Sequence, residues 1–144
     1  MKKYISLLLV LTMCLSLCAC GGGNTYTVTK SSGSGESMTA DDFIDLHENN
    51  QLKYSKEYTG CSISGSGEIT KIEQGPRSGF YYYTNEYSYY TITINDEICI
   101  LSLESMLPAC EVGDTVYFNA PVQTVYMGYI YLFNQNEKTP SITK

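Results

Sequence analysis

The stretch Tyr81–Tyr90, YYYTNEYSYY, places six tyrosines in ten residues. A tyrosine offers a ring that stacks and a hydroxyl that bonds, so a cluster of them carries the chemistry of recognition. The same residue type favours strands, where cross-strand aromatic pairs stabilise a sheet without any ligand. Groups for catalysis are sparse. His47 is the single histidine and Arg77 the single arginine, which limits proton transfer and phosphate holding. No Ser–His–Asp spacing, HExxH or P-loop is present. QGPRSG, residues 74–79, has glycines but lacks the GK[ST] of a phosphate cradle. Paired carboxylates hydrolyse glycosides in some enzymes. Here Glu68, Glu73, Glu86, Asp96, Glu97, Glu104 and Glu111 are scattered over expected strand ends and turns, where solvated carboxylates are ordinary. These observations point away from an enzyme, and no catalytic residue and no cofactor is expected.

The elements that must hold these residues begin with a signal. Lys2 and Lys3 are the only charges among the first 29 residues, and Tyr4–Leu17 is apolar. A short apolar run behind a basic start reads as a secretory signal over residues 1–19; a spanning helix needs about 20 apolar residues. LCAC, Leu17–Cys20, followed by Gly21, resembles the lipobox of bacterial lipoproteins: Leu17 at minus three, Ala19 at minus one, Cys20 as the lipidated residue. Cys18 at minus two departs mildly from the pattern. The resemblance implies a diacylglycerol thioether and palmitate on Cys20, with the chain anchored on the extracytoplasmic face of a bacterial cell membrane. Two acyl chains anchor stably where one does not. Residues 20–38 are rich in Gly, Ser and Thr and read as a flexible tether that lifts the domain off the membrane.

The whole chain has a formal charge of −6. Removing Lys2 and Lys3 with the signal leaves seven basic against fifteen acidic residues, hence −8. Most nucleic-acid affinity comes from neutralised phosphates, so an acidic chain without a basic stripe points away from nucleic acid. Of six cysteines, Cys61, Cys99 and Cys110 remain beyond the anchor. Three is odd, so at most one bridge forms. The alternatives are three small buried residues or one bridge, Cys99–Cys110 or Cys61–Cys110. With only His47 to add, no zinc site is expected.

The folded part is expected over residues 39–138. In TADDFIDLHENN, Thr39 and Asp42 form a capping-box-like start, and Phe43, Leu46 and His47 share a helix face. Asp41, Asp42 and Asp45 suit the positive helix end, which accounts for them without metal. Cys61–Ile72 alternates, with Ile63, Gly65, Gly67 and Ile69 on the inner face; two inner glycines predict a bend or close approach. Tyr87–Asn95 and Glu97–Ser105 form a hairpin about Asn95 and Asp96. Thr115–Met127 follows the turn VGD, with Pro121 breaking or bending it at an edge. Met127 and Gly128 turn the chain, Tyr129–Phe133 is the last strand, and residues 139–144 read as a fraying polar tail.

Together these features predict a mainly β fold, a small five-stranded Greek-key barrel behind a short N-terminal helix. The helix, YTGCSISGSGEITKIE, EICILSL, EVGDTVYFNAPV and GYIYLFN resemble the secreted OB-fold proteins related to the tRNA-anticodon-binding domain. Ile63, Gly65 and Ile69 approximate that family's first-strand signature; Gly113, Asp114 and Val116 match its turn into the fourth strand. The resemblance implies a ligand surface on strands 2 and 3. Period two puts Ser88, Tyr90, Ile92 and Ile94 on the core face and Tyr87, Tyr89, Thr91 and Thr93 outward. Tyr81, Tyr83, Tyr87, Tyr89 and Thr91 are thus the expected ligand-binding residues, for a peptide, glycan or envelope component. The alternative is a structural or assembly lipoprotein acting through a partner protein, with nucleic-acid binding or hydrolysis as minor readings.

Overall fold

The computed structural model describes residues 23–75, 89–133 and 141–144. The expectations for residues 1–19, Cys20, Tyr81, Tyr83 and Tyr87 lie outside the described residues. The fold is mainly β. In chain order it has β1 (Thr25–Thr29), β2 (Gly35–Thr39), α1 (Ala40–Asn49), α2 (Gln51–Glu57), β3 (Ser62–Gln74), β4 (Tyr89–Ile94), β5 (Ile98–Leu103), a 3-10 turn (Glu104–Met106), β6 (Thr115–Tyr126), β7 (Tyr129–Phe133) and β8 (Ile142–Thr143). The strands form one mixed sheet in the order β2-β1-β3-β4-β5-β7-β6-β8, and β3 also pairs with β6. β5 and β7 run parallel.

β3 is the strand on which this arrangement turns. Ser62–Ser64 pairs with β1 and Ser62–Glu68 with β6, whereas Ile69–Gln74 pairs with β4 across a register shift between Ile69 and Lys71. The bend expected from the inner glycines is here. A Cβ on Gly65 would lie 2.7 Å from the Tyr26 ring, and one on Gly67 would lie 2.6 Å from Ile94 Cγ2 and strike the Asn95 side chain. The VGD turn docks on the bend: the Ile69 N–H donates to the Asp114 carbonyl (2.9 Å), and the Gly113 N–H donates to the Ile69 carbonyl (2.8 Å).

The hairpin turns follow the expected positions. Asn95 and Asp96 have φ of 51° and 57°, and Met127 and Gly128 have 50° and 76°. Both pairs have the positive φ that two-residue hairpin turns need to match the right-handed twist of the flanking strands. At the helix start, Thr39 Oγ1 accepts from the Asp42 N–H at 3.1 Å, and Phe43 and Leu46 are buried. The chain does not leave helical structure at Asn49–Asn50. Asn50 caps α2 by accepting from the Lys53 N–H at 3.4 Å, and α2 lays Tyr54 edge-on against Phe43 (5.9 Å between ring centroids).

Three expectations are corrected. Residues 20–38 are not all tether: β1 and β2 form a hairpin within the sheet, and Tyr26 and Val28 are 2% and 1% exposed. The Gly- and Ser-rich stretch is only its turn, closed by the Gly33 N–H donating to the Lys30 carbonyl (2.8 Å). Residues 141–144 do not fray: Ile142 pairs with Phe118 and is buried, and Lys144 pairs with Asp114 at 2.6 Å. Pro121 does not end its strand at an edge. β6 runs on through it, pairing with β3 up to Pro121 and with β7 from Val122.

One core cluster joins these parts, including Tyr26, Phe43, Tyr58, Ile63, Ile69, Ile92, Ile94, Ile100, Val116 and Ile130. The N-terminal hairpin is held at two points. The Tyr26 hydroxyl donates to Glu97 Oε2 (2.7 Å) and accepts from Asn95 Nδ2 (3.0 Å). The Tyr58 hydroxyl donates to Glu36 Oε2 (2.7 Å), while Lys30 bridges Glu36 and Glu57. Tyr26→Ala removes a buried ring and is expected to cost about 3–5 kcal/mol in denaturant unfolding. A loss under about 1 kcal/mol, the scale of a surface change, would mean the hairpin contributes nothing to the fold.

Candidate functional site

The tyrosine face was expected on β4 and β5. β4 does alternate as its period demands. Ile92 and Ile94 enter the main core and Tyr90 packs against it. Tyr89, Thr91 and Thr93 share the opposite face, but the expectation that they meet solvent is corrected: they are 6%, 0% and 2% exposed. The reason is a second apolar cluster on that face, made by Tyr89, Cys99, Leu101, Tyr131 and Phe133, with Leu103, Tyr126 and Tyr129 packed against it. Tyr89 meets Phe133 edge to face at 6.1 Å. The Thr91 hydroxyl donates to the Gly75 carbonyl (2.8 Å), and the Thr93 hydroxyl lies 3.8 Å from Cys99 Sγ. In this conformation neither Tyr89 nor Thr91 offers its surface to a ligand. Both faces of β4 and β5 are packed, which β5 announces in the unbroken apolar run ICIL. A strand buried on both faces reads as continuous rather than alternating.

The remaining chemistry-bearing residues separate rather than converge. His47 stacks edge-on against Tyr54 at 4.7 Å, and its Nδ1 is buried without a hydrogen-bond partner among the described residues. Lys71 pairs with Glu73 at 2.9 Å. No group of three or more His, Cys, Asp and Glu residues that could hold a metal occurs among the described residues. Cys61, Cys99 and Cys110 are free thiols, the first two buried. Burial raises the Cys61 thiol to about 11 and the Tyr54 hydroxyl to about 12. In the turn before β6, hydrogen bonds from Lys144 and the Glu111 N–H hold Asp114 below the usual carboxylate range. The Tyr58 hydroxyl, with Lys30, does the same for Glu36.

A strongly exposed tyrosine lies elsewhere. Tyr117 on β6 is 64% exposed, on the side of the sheet formed by β2, β1, β3, β6 and β8. The sequence signal for it is the alternation in TVYFNA, where Val116, Phe118 and Ala120 are buried and Thr115, Tyr117 and Asn119 are exposed. Among the described residues, no helix is long and apolar enough to cross a membrane. Comparison of the chain with protein-family models, with curated proteins and with solved structures found no match.

Two outcomes follow from this packing. Tyr89→Ala is expected to lose about 3–5 kcal/mol of stability, as an aromatic deletion from a core does. A loss below about 1 kcal/mol in denaturant unfolding would mean the second cluster is not a packed core. The thiols give a pH dependence with a fixed sign. A thiol raised by folding favours the native state fully below its unfolded pKa, and that stability disappears as pH rises through the folded value. For Cys61 the window is from 9.0 to about 11. Cys61→Ala should therefore lose less stability than the parent chain across this window, measured by urea unfolding at each pH. Equal losses would assign the alkaline transition to other groups.

Proposed function

We propose that this chain is a membrane-tethered bacterial lipoprotein on the extracytoplasmic face, and that its folded part is a non-enzymatic OB-like binding module. The observation that carries the fold reading is the return of the strand pairing to its start. β3 pairs with β4, β4 with β5, β5 with β7, β7 with β6, and β6 with β3. Five strands linked this way, antiparallel except for β5 and β7, match the Greek-key order of a small OB barrel. The bent first strand and the helix before it agree with the secreted OB-fold resemblance. The β1–β2 hairpin is an addition in front of that arrangement.

The tether reading rests on LCAC and the basic, apolar segment before it. β1 starts at Thr25, so a lipid on Cys20 leaves Gly21–Asn24 as the link. Four residues reach at most about 14 Å when fully extended. The domain is then held against the membrane rather than lifted off it. The acidic balance supports a ligand other than nucleic acid. The packing of the single histidine against Tyr54 supports a role without proton-transfer chemistry.

Labelling cells with a palmitate analogue tests the anchor. Cys20→Ser is expected to lose the label and to leave the membrane fraction, whereas Cys18→Ser keeps both. Unchanged labelling of Cys20→Ser would overturn the anchor assignment.

A further inference from the structure

We propose that the outer face of β2, β1, β3, β6 and β8 binds an uncharged glycan, with Tyr117 as the stacking platform. This deepens the binding-module reading and rests on it, but moves the ligand away from the β4–β5 face.

The registers define the surface. Ser37, Thr27, Ser64 and Asn119 stand opposite one another in a single row across β2, β1, β3 and β6. A neighbouring row holds Ser66, Tyr117 and Thr143. Their chain neighbours Val28, Ile63, Val116, Phe118 and Ile142 are buried, so strand alternation turns these side chains outward. Beside Tyr117 lies a shallow depression of ≈ 180 Å³ lined by Tyr117, Phe118, Asn119, Ser141 and Thr143. It is smaller than a drug-sized pocket, and suits one sugar ring.

Charge narrows the ligand. In a chain of net charge −6, Glu68 is the one charged side chain on the outward positions of β1, β2, β6, β8 and the Ser62–Glu68 part of β3 among the described residues. Lys71 and Glu73 lie farther along β3, beside β4, and pair with each other at 2.9 Å. Lys144, just past β8, and Asp114, just before β6, neutralise each other at 2.6 Å. A phosphorylated or acidic polymer would find no unpaired counter-charge here, and a basic one only Glu68. Hydroxyls and an amide instead offer both donors and acceptors, as sugar hydroxyls require. The hydroxyls of Ser55, Thr59, Thr70 and Thr91 bond backbone carbonyls of their own chain, whereas those of Thr27, Ser64 and Ser66 have no such bond among the described residues. Tyr117 adds an apolar ring with a polar tip, which can take the C–H face of a pyranose while its hydroxyl stays wet. A protein partner would be expected to meet an apolar centre, and among the described residues Tyr117 is the one strongly exposed large apolar side chain on the outward positions of these strands.

The test is affinity electrophoresis of the detergent-solubilised full chain through gels carrying dextran, galactomannan, xyloglucan or polygalacturonate. Retardation by at least one neutral polysaccharide, and none by the acidic one, is expected. Tyr117→Ala should weaken that affinity about tenfold or more, the loss that truncating an interface anchor brings. Because the ring is exposed, its unfolding midpoint should stay unchanged. Tyr117→Phe keeps the ring and should remain within about threefold. Glycan binding that Tyr117→Ala leaves intact would overturn this site while sparing the binding-module reading. No retardation by any neutral polysaccharide, with the chain folded, would overturn the proposal. So would retardation by polygalacturonate alone, or a stoichiometric protein partner whose binding depends on Tyr117.

Discussion

The rest of the structure depends on how closely other groups approach β3 at Gly65 and Gly67. The Tyr26 ring rests on Gly65, and Ile94 with the Asn95 side chain rests on Gly67, each at a distance that a Cβ would forbid. That approach lets a single strand serve β1, β6 and β4 in turn. It also brings the β4–β5 turn within reach of the N-terminal hairpin. Asn95 ties the two together. Its carbonyl oxygen accepts from the Glu68 N–H at 2.9 Å, and its amide donates to the Tyr26 hydroxyl at 3.0 Å. Any residue larger than glycine at either position would displace the ring or the turn, and with it the anchor of β1.

This dependence explains what was legible in the sequence and what was not. Signals confined to a few neighbouring residues were readable. Thr39 and Asp42 marked a helix start, Asn95–Asp96 and Met127–Gly128 marked hairpins, and alternating Ile and Gly marked the bent strand. The hairpin of β1 and β2 was hidden, because TYTVT and GESMT are short and flank a Ser- and Gly-rich turn that composition alone assigns to a linker. Their stability comes from partners far along the chain: Glu97 is 71 residues from Tyr26. Ser141–Lys144 was hidden for the same reason. A two-residue strand has no period, and its place is set by Phe118 and Asp114.

The tyrosine face illustrates a different limit. Period two correctly divided β4 into Tyr90, Ile92 and Ile94 against Tyr89, Thr91 and Thr93. Periodicity tells which residues share a face, but not whether that face is covered. Tyrosine and threonine are ambiguous, since each accepts burial when its hydroxyl has a partner. Thr91 finds one in the Gly75 carbonyl. The stronger clue lay one strand away, in ICIL, whose unbroken apolar run does not fit a sheet wet on one side.

The two sides of this small sheet have therefore diverged in chemistry. Around β4, β5 and β7, aromatic and aliphatic side chains fill both faces, a rigid and dry arrangement. Around β1, β6 and the part of β3 that pairs with them, one face enters the core and the other is kept wet and carries little charge. An exposed sheet face usually carries Lys and Glu, which oppose unwanted association. Ser, Thr and Asn at these positions give up that protection while keeping the surface hydrated. A lone exposed tyrosine adds apolar area that folding does not need, since Val116 and Phe118 already supply the inner packing of β6. Stability accounts for the first region without remainder. In the second, it accounts for the buried half of each strand, and the proposed glycan site would draw on the other half.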